Sequence, residues 1–312
     1  MKKKIALLAG GISSEREVSL NSGQQVYQAL DKAKYDVRRY DPQTDLPKLV
    51  SEASEIDAAL IILHGPYGED GTIQGLLELL DIPYQGTGVL GSALAMNKLA
   101  AKQMYEKAGL PVPAYAVIER ESREEVDPLV RQLGLPLVVK PANAGSSIGM
   151  SIVGTADELA PALSKAFDHD ATVIVERYVK GTELTVGVLG NASLQALPVI
   201  EIIPGGDYEF FDYTAKYTPG ATREICPARI DADAARKAQQ YAQTAHRALY
   251  CKGYSRTDMI LCGTDIFVLE TNTIPGMTPT SLFPQAAQAA GISFGQLLDR
   301  LIELGIQAHH HR

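Results

Sequence analysis

Short apolar runs alternate with helical stripes through the first third of the chain. Ile5–Ala9 is a continuous apolar run of strand length, ended by Gly10-Gly11. Ser14 with Glu17 has capping-box spacing, which predicts a helix through about Leu30. Ala58–Leu63 is a second buried strand. After Thr72, the residues Ile73, Leu76, Leu77 and Leu80 fall at i, i+3, i+4 and i+7, one face of a core-facing helix. This alternation predicts a parallel sheet with helices on its faces. Ligands of such sheets bind beyond the carboxyl ends of the strands, where the loops Gly10–Glu15 and His64–Gly71 lie.

The pattern changes near Asn97. Ala101, Met104, Tyr105 and Ala108 line one face of a helix that Gly109, Pro111 and Pro113 stop. Then come a strand (Ala114–Ile118), a helix capped by Ser122 with Glu125, the strand Leu137–Lys140, a Gly/Ser loop and Ser151–Val153. A helix capped by Thr155 with Glu158 and the strand Thr172–Arg177 complete a β-α-β-β-α-β lobe. From Leu184 the chain predicts long strands, a loop over Pro204–Glu224, a helix over Asp233–Leu249, a hairpin and two closing helices. In the hairpin, Glu270 and Asn272 leave one face of a strand, being two residues apart. A three-residue loop, Gly263-Thr264-Asp265, sets Asp258 opposite Glu270 and Arg256 opposite Asn272. Two carboxylates, an amide and a guanidinium make a poor core and a good seat for divalent cations that hold phosphates.

With 312 residues, two or three lobes are expected. A net charge of −8 leaves no basic surplus for nucleic acid. Cys226, Cys251 and Cys262 form no C-x-x-C pair and no disulfide framework, as expected in a reducing cytosol. The apolar run after Met1 is too short for a signal peptide, and no run reaches transmembrane length. The tail His309-His310-His311 reads as a frayed end rather than a metal site.

Three further motifs carry chemistry. Gly86-Thr-Gly-Val-Leu-Gly91 satisfies G-x-G-x-x-G, but a helix occupies the place where a dinucleotide site needs an acidic strand end. The glycines therefore read as a turn with close helix packing. Lys140-Pro-Ala-Asn-Ala-Gly-Ser-Ser-Ile-Gly149 puts a lysine at a strand end before a loop that is either a plain surface turn or one whose N–H groups and hydroxyls wrap a phosphate, without Walker spacing. Lys98 is a second phosphate contact or an exposed helix lysine. Glu176 ends a buried strand and Glu183 follows one short loop later. Such acceptors suit an adenine amino group and ribose hydroxyls, and Glu176 equally suits a structural salt bridge.

KPANAGSSIGMS, VERYVKGTELTV, FDYTAKY, YSRTDM and LETNTIPGMTPTSL together resemble the D-alanine–D-alanine ligases of the ATP-grasp superfamily. LLAGGISSEREVSLNSG and LHGPYGEDGTIQGLLELLDIPYQGTG extend the resemblance over essentially the whole chain. It implies a three-lobed ATP-grasp fold, α/β and α+β, with an N-terminal parallel-sheet α/β domain at 1–96. A central α+β domain at 97–183 and a C-terminal domain at 184–312, with a lid at about 204–224, would grip ATP between them. Lys98 and Lys140 would contact ATP phosphates, with Ser146 and Ser147 in the loop over them. Glu176 would meet the adenine and Glu183 the ribose. Asp258, Glu270 and Asn272 would hold two Mg²⁺, with Mn²⁺ as an alternative. Glu15, helped by His64, would bind the ammonium of the first D-alanine. Ser281 and the Leu282 backbone would take the carboxylate of the second. Arg256 and the Gly276 N–H would stabilise the oxyanion. Lys216 and Tyr217 would lie on the lid, with Glu15, Ser146 and Tyr217 in one hydrogen-bonded set.

The implied reaction, on the way to peptidoglycan, activates one D-alanine as an acylphosphate and joins it to a second, releasing ADP and phosphate. Metal ions, lysines and Arg256 would offset developing charge while the lid excludes water. Asn97 stands where many relatives carry Asp, and either residue can cap the helix. Pro66-Tyr67 is a variable spot that would shape the N-terminal wall. A D-alanine–D-lactate ligase would tend to lose the lid tyrosine, and Tyr217 is present. A nucleotide-binding module without ligase activity would lose Glu15 or a metal carboxylate, and none is missing. The resemblance also implies a cytoplasmic homodimer, joined through the N-terminal lobe.

Overall fold

The structure is a computed structural model that describes residues 2–121, 126–143, 145, 148–205 and 222–310. The expected Ser122–Glu125 cap and most of the 204–224 loop lie outside these residues.

The N-terminal sheet has strand order β2-β1-β3, from β1 (Lys3–Leu8), β2 (Tyr35–Tyr40) and β3 (Ala58–Ile61), all parallel. Ile5 to Leu8 are buried because helices cover both faces of the sheet. Helix α1 (Arg16–Ala29) lies against β1, and α2 (Leu46–Ser51) and α3 (Thr72–Leu79) follow β2 and β3. Ile73 and Leu77 are buried, with Leu76 and Leu80 packed partly against the same core. The expected Ser14–Glu17 capping box does not form. Glu15 is the N-cap residue, with no side-chain cap. Ser13 instead accepts the Glu15 N–H (3.2 Å) and donates to the His64 carbonyl (2.7 Å), tying the two ligand-side loops together.

Helix α4 (Val89–Met96) leads directly into α5 (Lys98–Lys107). Asn97 caps α5 by accepting the Ala100 N–H at 2.8 Å. Gly91 is required by close packing: a Cβ there would come within 2.5 Å of the Leu249 carbonyl oxygen. The G-x-G-x-x-G run thus serves a turn and helix contact, as expected.

The central lobe runs β4 (Tyr115–Glu119), α6 (Val126–Leu133), β5 (Leu137–Pro141), β6 (Ser151–Val153), α7 (Leu159–Phe167) and β7 (Thr172–Arg177). Its sheet order is β4-β7-β5-β6, fully antiparallel. Before α7, Glu158 accepts the Thr155 N–H in the predicted capping box.

The C-terminal sheet has the order β11-β10-β8-β12-β13, with β9 on β8. It comprises β8 (Thr182–Leu189), β9 (Gln195–Ala196), β10 (Ile200–Pro204), β11 (Thr222–Ile225), β12 (Tyr254–Cys262) and β13 (Asp265–Asn272). Helix α8 (Ala232–Ala248) covers one face, and Ala238, Ala242 and Ala245 join Met259, Ile266 and Val268 in its core. The closing helices are α9 (Leu282–Ala289) and α10 (Phe294–His310), and α10 crosses back onto β3. Within the described residues the expected fraying is not seen: α10 stays helical through His310, and His309 Nε2 lies 3.0 Å from Asp81, while His311 lies outside them.

His246 on α8 is fully enclosed, with Nδ1 2.7 Å from Ser255 Oγ. Burial, reinforced by Arg247, pushes its pKa from 6.5 down to about 4. Between these values the unfolded chain binds more protons than the native one, so stability falls as the pH drops. The full effect is roughly 3 kcal/mol. His246→Gln should flatten the loss of urea resistance between pH 7 and 4; an unaltered loss would contradict the assignment.

Candidate active site

A cavity of about 380 Å³ lies between the central and C-terminal sheets. Lys98, Lys140, Ile148 and Glu176 line one side, and Glu183, Asp258, Leu269 and Glu270 the other. The hairpin β12–β13 supplies the acidic wall, with Asp258 opposite Glu270 and Arg256 opposite Asn272, as expected. The expected reason for this register is wrong, however. Cys262 pairs with Asp265, so the loop is the two-residue Gly263-Thr264, with Gly263 at φ +60°. A bulge at Leu269 then restores the register, because Met259 pairs with Val268 while Asp258 pairs with Glu270. The bulge has a chemical consequence. Ile266 and Val268 face the core, and strict alternation would send Glu270 after them. The extra residue turns Thr271 inward and leaves both Leu269 and Glu270 on the cavity.

Asp258 is buried and held by three hydrogen bonds from two residues. Arg256 bonds both oxygens, through Nε to Oδ1 (3.0 Å) and Nη2 to Oδ2 (2.9 Å), and Thr185 donates to Oδ1 at 2.5 Å. Asn272 Oδ1 accepts the Ile274 N–H at 2.9 Å. Glu270 lies 3.9 Å from Lys98 Nζ. This all-oxygen set fits a hard divalent cation, which would share the Asp258 carboxylate with Arg256.

At the other end of the cavity, Glu176 is enclosed and receives two lysines on the same oxygen, Oε1. Lys140 Nζ stands at 2.9 Å and Lys102 Nζ at 3.0 Å. Burial alone would raise the Glu176 pKa, but the lysines hold it below the usual carboxylate range. Burial pushes Lys102 down to about 8 despite its partner. The salt-bridge reading of Glu176 is met, and the same carboxylate lines the cavity.

The loops of the N-terminal sheet converge on the same region. Glu15 is buried, and its Oε2 packs against Gly65, where a Cβ would approach to 3.0 Å. It also lies near Gly145 of the Gly/Ser loop. Burial lowers the His64 pKa; the Glu15 carboxylate opposes this and Arg256 reinforces it, so both charges reach the ring. Beyond β13, Gly276 abuts the Ser281 hydroxyl, and Ser281 is the N-cap of α9. Ser281 and the Leu282 backbone thus sit at a positive helix end suited to a carboxylate. Ser146, Ser147, Lys216 and Tyr217 lie outside the described residues.

Sequence reasoning missed two ionisable groups. Lys102 repeats Lys98 one helical turn on, a visible spacing, but a lysine on a helix normally reads as solvated. Glu69 accepts the Gly65 N–H at 2.6 Å. Part of the residue meets solvent, yet its carboxyl group is enclosed and burial pushes its pKa up to about 8. Glu15 and Glu270 raise it further and Arg256 opposes them.

Two sheets closing on a cavity walled by lysines and carboxylates define the class as ATP-grasp. Two family models match the chain: "D-ala D-ala ligase C-terminus" over residues 104–303 and "D-ala D-ala ligase N-terminus" over 4–46 and 41–87. The chain belongs to the D-alanine–D-alanine ligase family. It is 64% identical to the D-alanine–D-alanine ligase of Syntrophobacter fumaroxidans, over 98% of each chain. It is 58% identical to that of Desulfotalea psychrophila, over 97% of this chain and 95% of the relative. Among solved structures, the Bacillus anthracis D-alanine–D-alanine ligase complexed with ATP superimposes with a TM-score of 0.87 at 35% identity, covering 99% of each chain. The VanG D-Ala:D-Ser ligase of Enterococcus faecalis gives a TM-score of 0.85 at 36% identity, covering 98% of this chain and all of that one.

Proposed function

We propose that this chain ligates two D-alanine molecules to D-alanyl-D-alanine at the expense of ATP, supplying peptidoglycan synthesis. The observation that carries the reading is one continuous arrangement. The lysine-lined cavity adjoins the Asp258–Glu270 wall, and the charges of Glu15, Arg256 and Glu270 all act on Glu69 beside it.

ATP lies in the cavity, with its adenine at Glu176, its ribose at Glu183 and its phosphates toward Lys98, Lys140 and Ser147. Asp258, Glu270 and Asn272 hold two Mg²⁺, which supply charge neutralisation at the phosphates when bound. Glu15 and His64 orient the first D-alanine by its ammonium. Its carboxylate oxygen attacks the γ-phosphorus, ADP departs, and an acylphosphate forms. Ser281 and the Leu282 N–H hold the carboxylate of the second D-alanine, whose free amine attacks the acyl carbon. Arg256 and the Gly276 N–H offset the resulting oxyanion, which collapses to the dipeptide and releases phosphate. Ser146, Lys216 and Tyr217, which lie outside the described residues, are assigned to the same reaction by the family resemblance. The lobes at 1–96, 97–183 and 184–312 divide the labour, the first mainly for the amino acid and the others for the nucleotide.

Phosphate release from ATP and Mg²⁺ should require D-alanine, and L-alanine should not replace it. D-Lactate or D-serine as second substrate should compete poorly; preferred use of either would redirect the assignment, and release indifferent to D-alanine would sink it. The three free thiols and the ATP requirement support a cytoplasmic setting. Among the described residues, no helix is long and apolar enough to cross a membrane.

The homodimer is assigned to the N-terminal lobe. There α3 and α4 pack together and expose Leu79, Val89 and Leu90, which are 88%, 40% and 60% accessible. Sedimentation should give a dimer at micromolar concentration that Leu90→Glu weakens; a monomeric parent protein would contradict it.

A further inference from the structure

Lys102 lies one turn after Lys98 on α5, but it lines no part of the cavity and only 1% of its surface meets solvent. Its ammonium sits 3.0 Å from Glu176 Oε1 and 5.2 Å from the centre of the Tyr115 ring. Burying an ammonium is expensive, and an apolar side chain of similar length would pack at less cost. The charge therefore points to a task performed through Glu176. That carboxylate is shared with Lys140, which ends β5 beside the Gly/Ser loop, whereas Lys102 is anchored inside the protein.

We propose that Lys102 is a positioning residue that keeps Glu176 ionised and fixed as a hydrogen-bond acceptor for the nucleotide base, and so sets the preference for a 6-amino purine. The inference rests on the nucleotide reading given above. When Lys140 turns to the phosphates, Glu176 loses one of its two cations while remaining buried. With Lys102 in place it stays a carboxylate and accepts the exocyclic amino N–H. Without Lys102 it would be a buried carboxylate lacking a cation and would take up a proton. A carboxylic acid can donate to a 6-oxo group, so discrimination against 6-oxo purines would fall. Lys98 reaches toward Glu270 from the same helix, so α5 addresses the base end and the phosphate end of one ligand.

The test is steady-state kinetics with ATP and with ITP, at saturating D-alanine and Mg²⁺. Lys102→Met should raise the KM for ATP about tenfold with kcat changed less than about threefold. It should lower the ATP/ITP ratio of kcat/KM by about tenfold, and Lys102→Arg should recover most of both. Should Lys102→Met fail to fold, the double variant Glu176→Gln/Lys102→Met removes both charges. Its ATP/ITP ratio should equal that of Glu176→Gln alone. A ratio unchanged in Lys102→Met, or a further loss in the double variant, overturns the proposal. Parent enzyme that consumes no ATP with D-alanine would instead overturn the ligase reading.

Discussion

Glu270→Gln should lower D-alanine-dependent turnover by about 10³-fold while leaving the thermal midpoint within a few degrees. The substitution keeps the side chain's shape and removes its charge. Glu270 stands opposite Asp258 with its side chain 37% exposed, so the neutral isostere keeps its contact with water. What is lost is the second carboxylate of the cation seat and the countercharge to Lys98. The comparison requires circular dichroism and phosphate release on the same preparation. Turnover within threefold of the parent would remove Glu270 from the chemistry.

Arg256→Met should injure both stability and turnover. Arg256 grips both oxygens of Asp258, and both residues are buried. Removing the guanidinium leaves that carboxylate with the Thr185 hydrogen bond and no paired cation from Arg256. An uncompensated buried charge costs about 3–5 kcal/mol. For a chain of this size that corresponds to a midpoint lower by roughly 5–8 °C. Turnover should fall by a further 10²–10³-fold, on the order expected for a lost oxyanion contact. A variant with normal turnover and a lowered midpoint would reduce Arg256 to a structural role.

The hairpin that carries these residues shows how far the sequence can be read. The pairing of Asp258 with Glu270 is legible, because the strands and their turn signal are plain. Yet it holds through two features that cancel. The loop is one residue shorter than expected, and the bulge at Leu269 inserts the missing residue. A bulge answers to packing on both faces at once, which no local pattern records. The Ser14–Glu17 box failed for a similar reason, since Ser13 is used between two loops rather than along one helix. The buried runs Ile5–Leu8 and Ala58–Leu63 and the helix stripe of Ile73 and Leu77 were visible because burial imposes periodicity on them. The strand Tyr35–Tyr40 and the order of strands in each sheet were not read. Lys102 was not, because only the folded chain reveals that its side of α5 is sealed.

The central claim is that a carboxylate of D-alanine captures the γ-phosphoryl group before the peptide bond forms. D-Alanine labelled with ¹⁸O in both carboxylate oxygens tests it most directly, with the released phosphate analysed by mass. In the acylphosphate the bridging oxygen comes from the amino acid, and it leaves with phosphorus when the second amine attacks. The account predicts one ¹⁸O in each phosphate formed with the dipeptide. Phosphate carrying no label from D-alanine would contradict it.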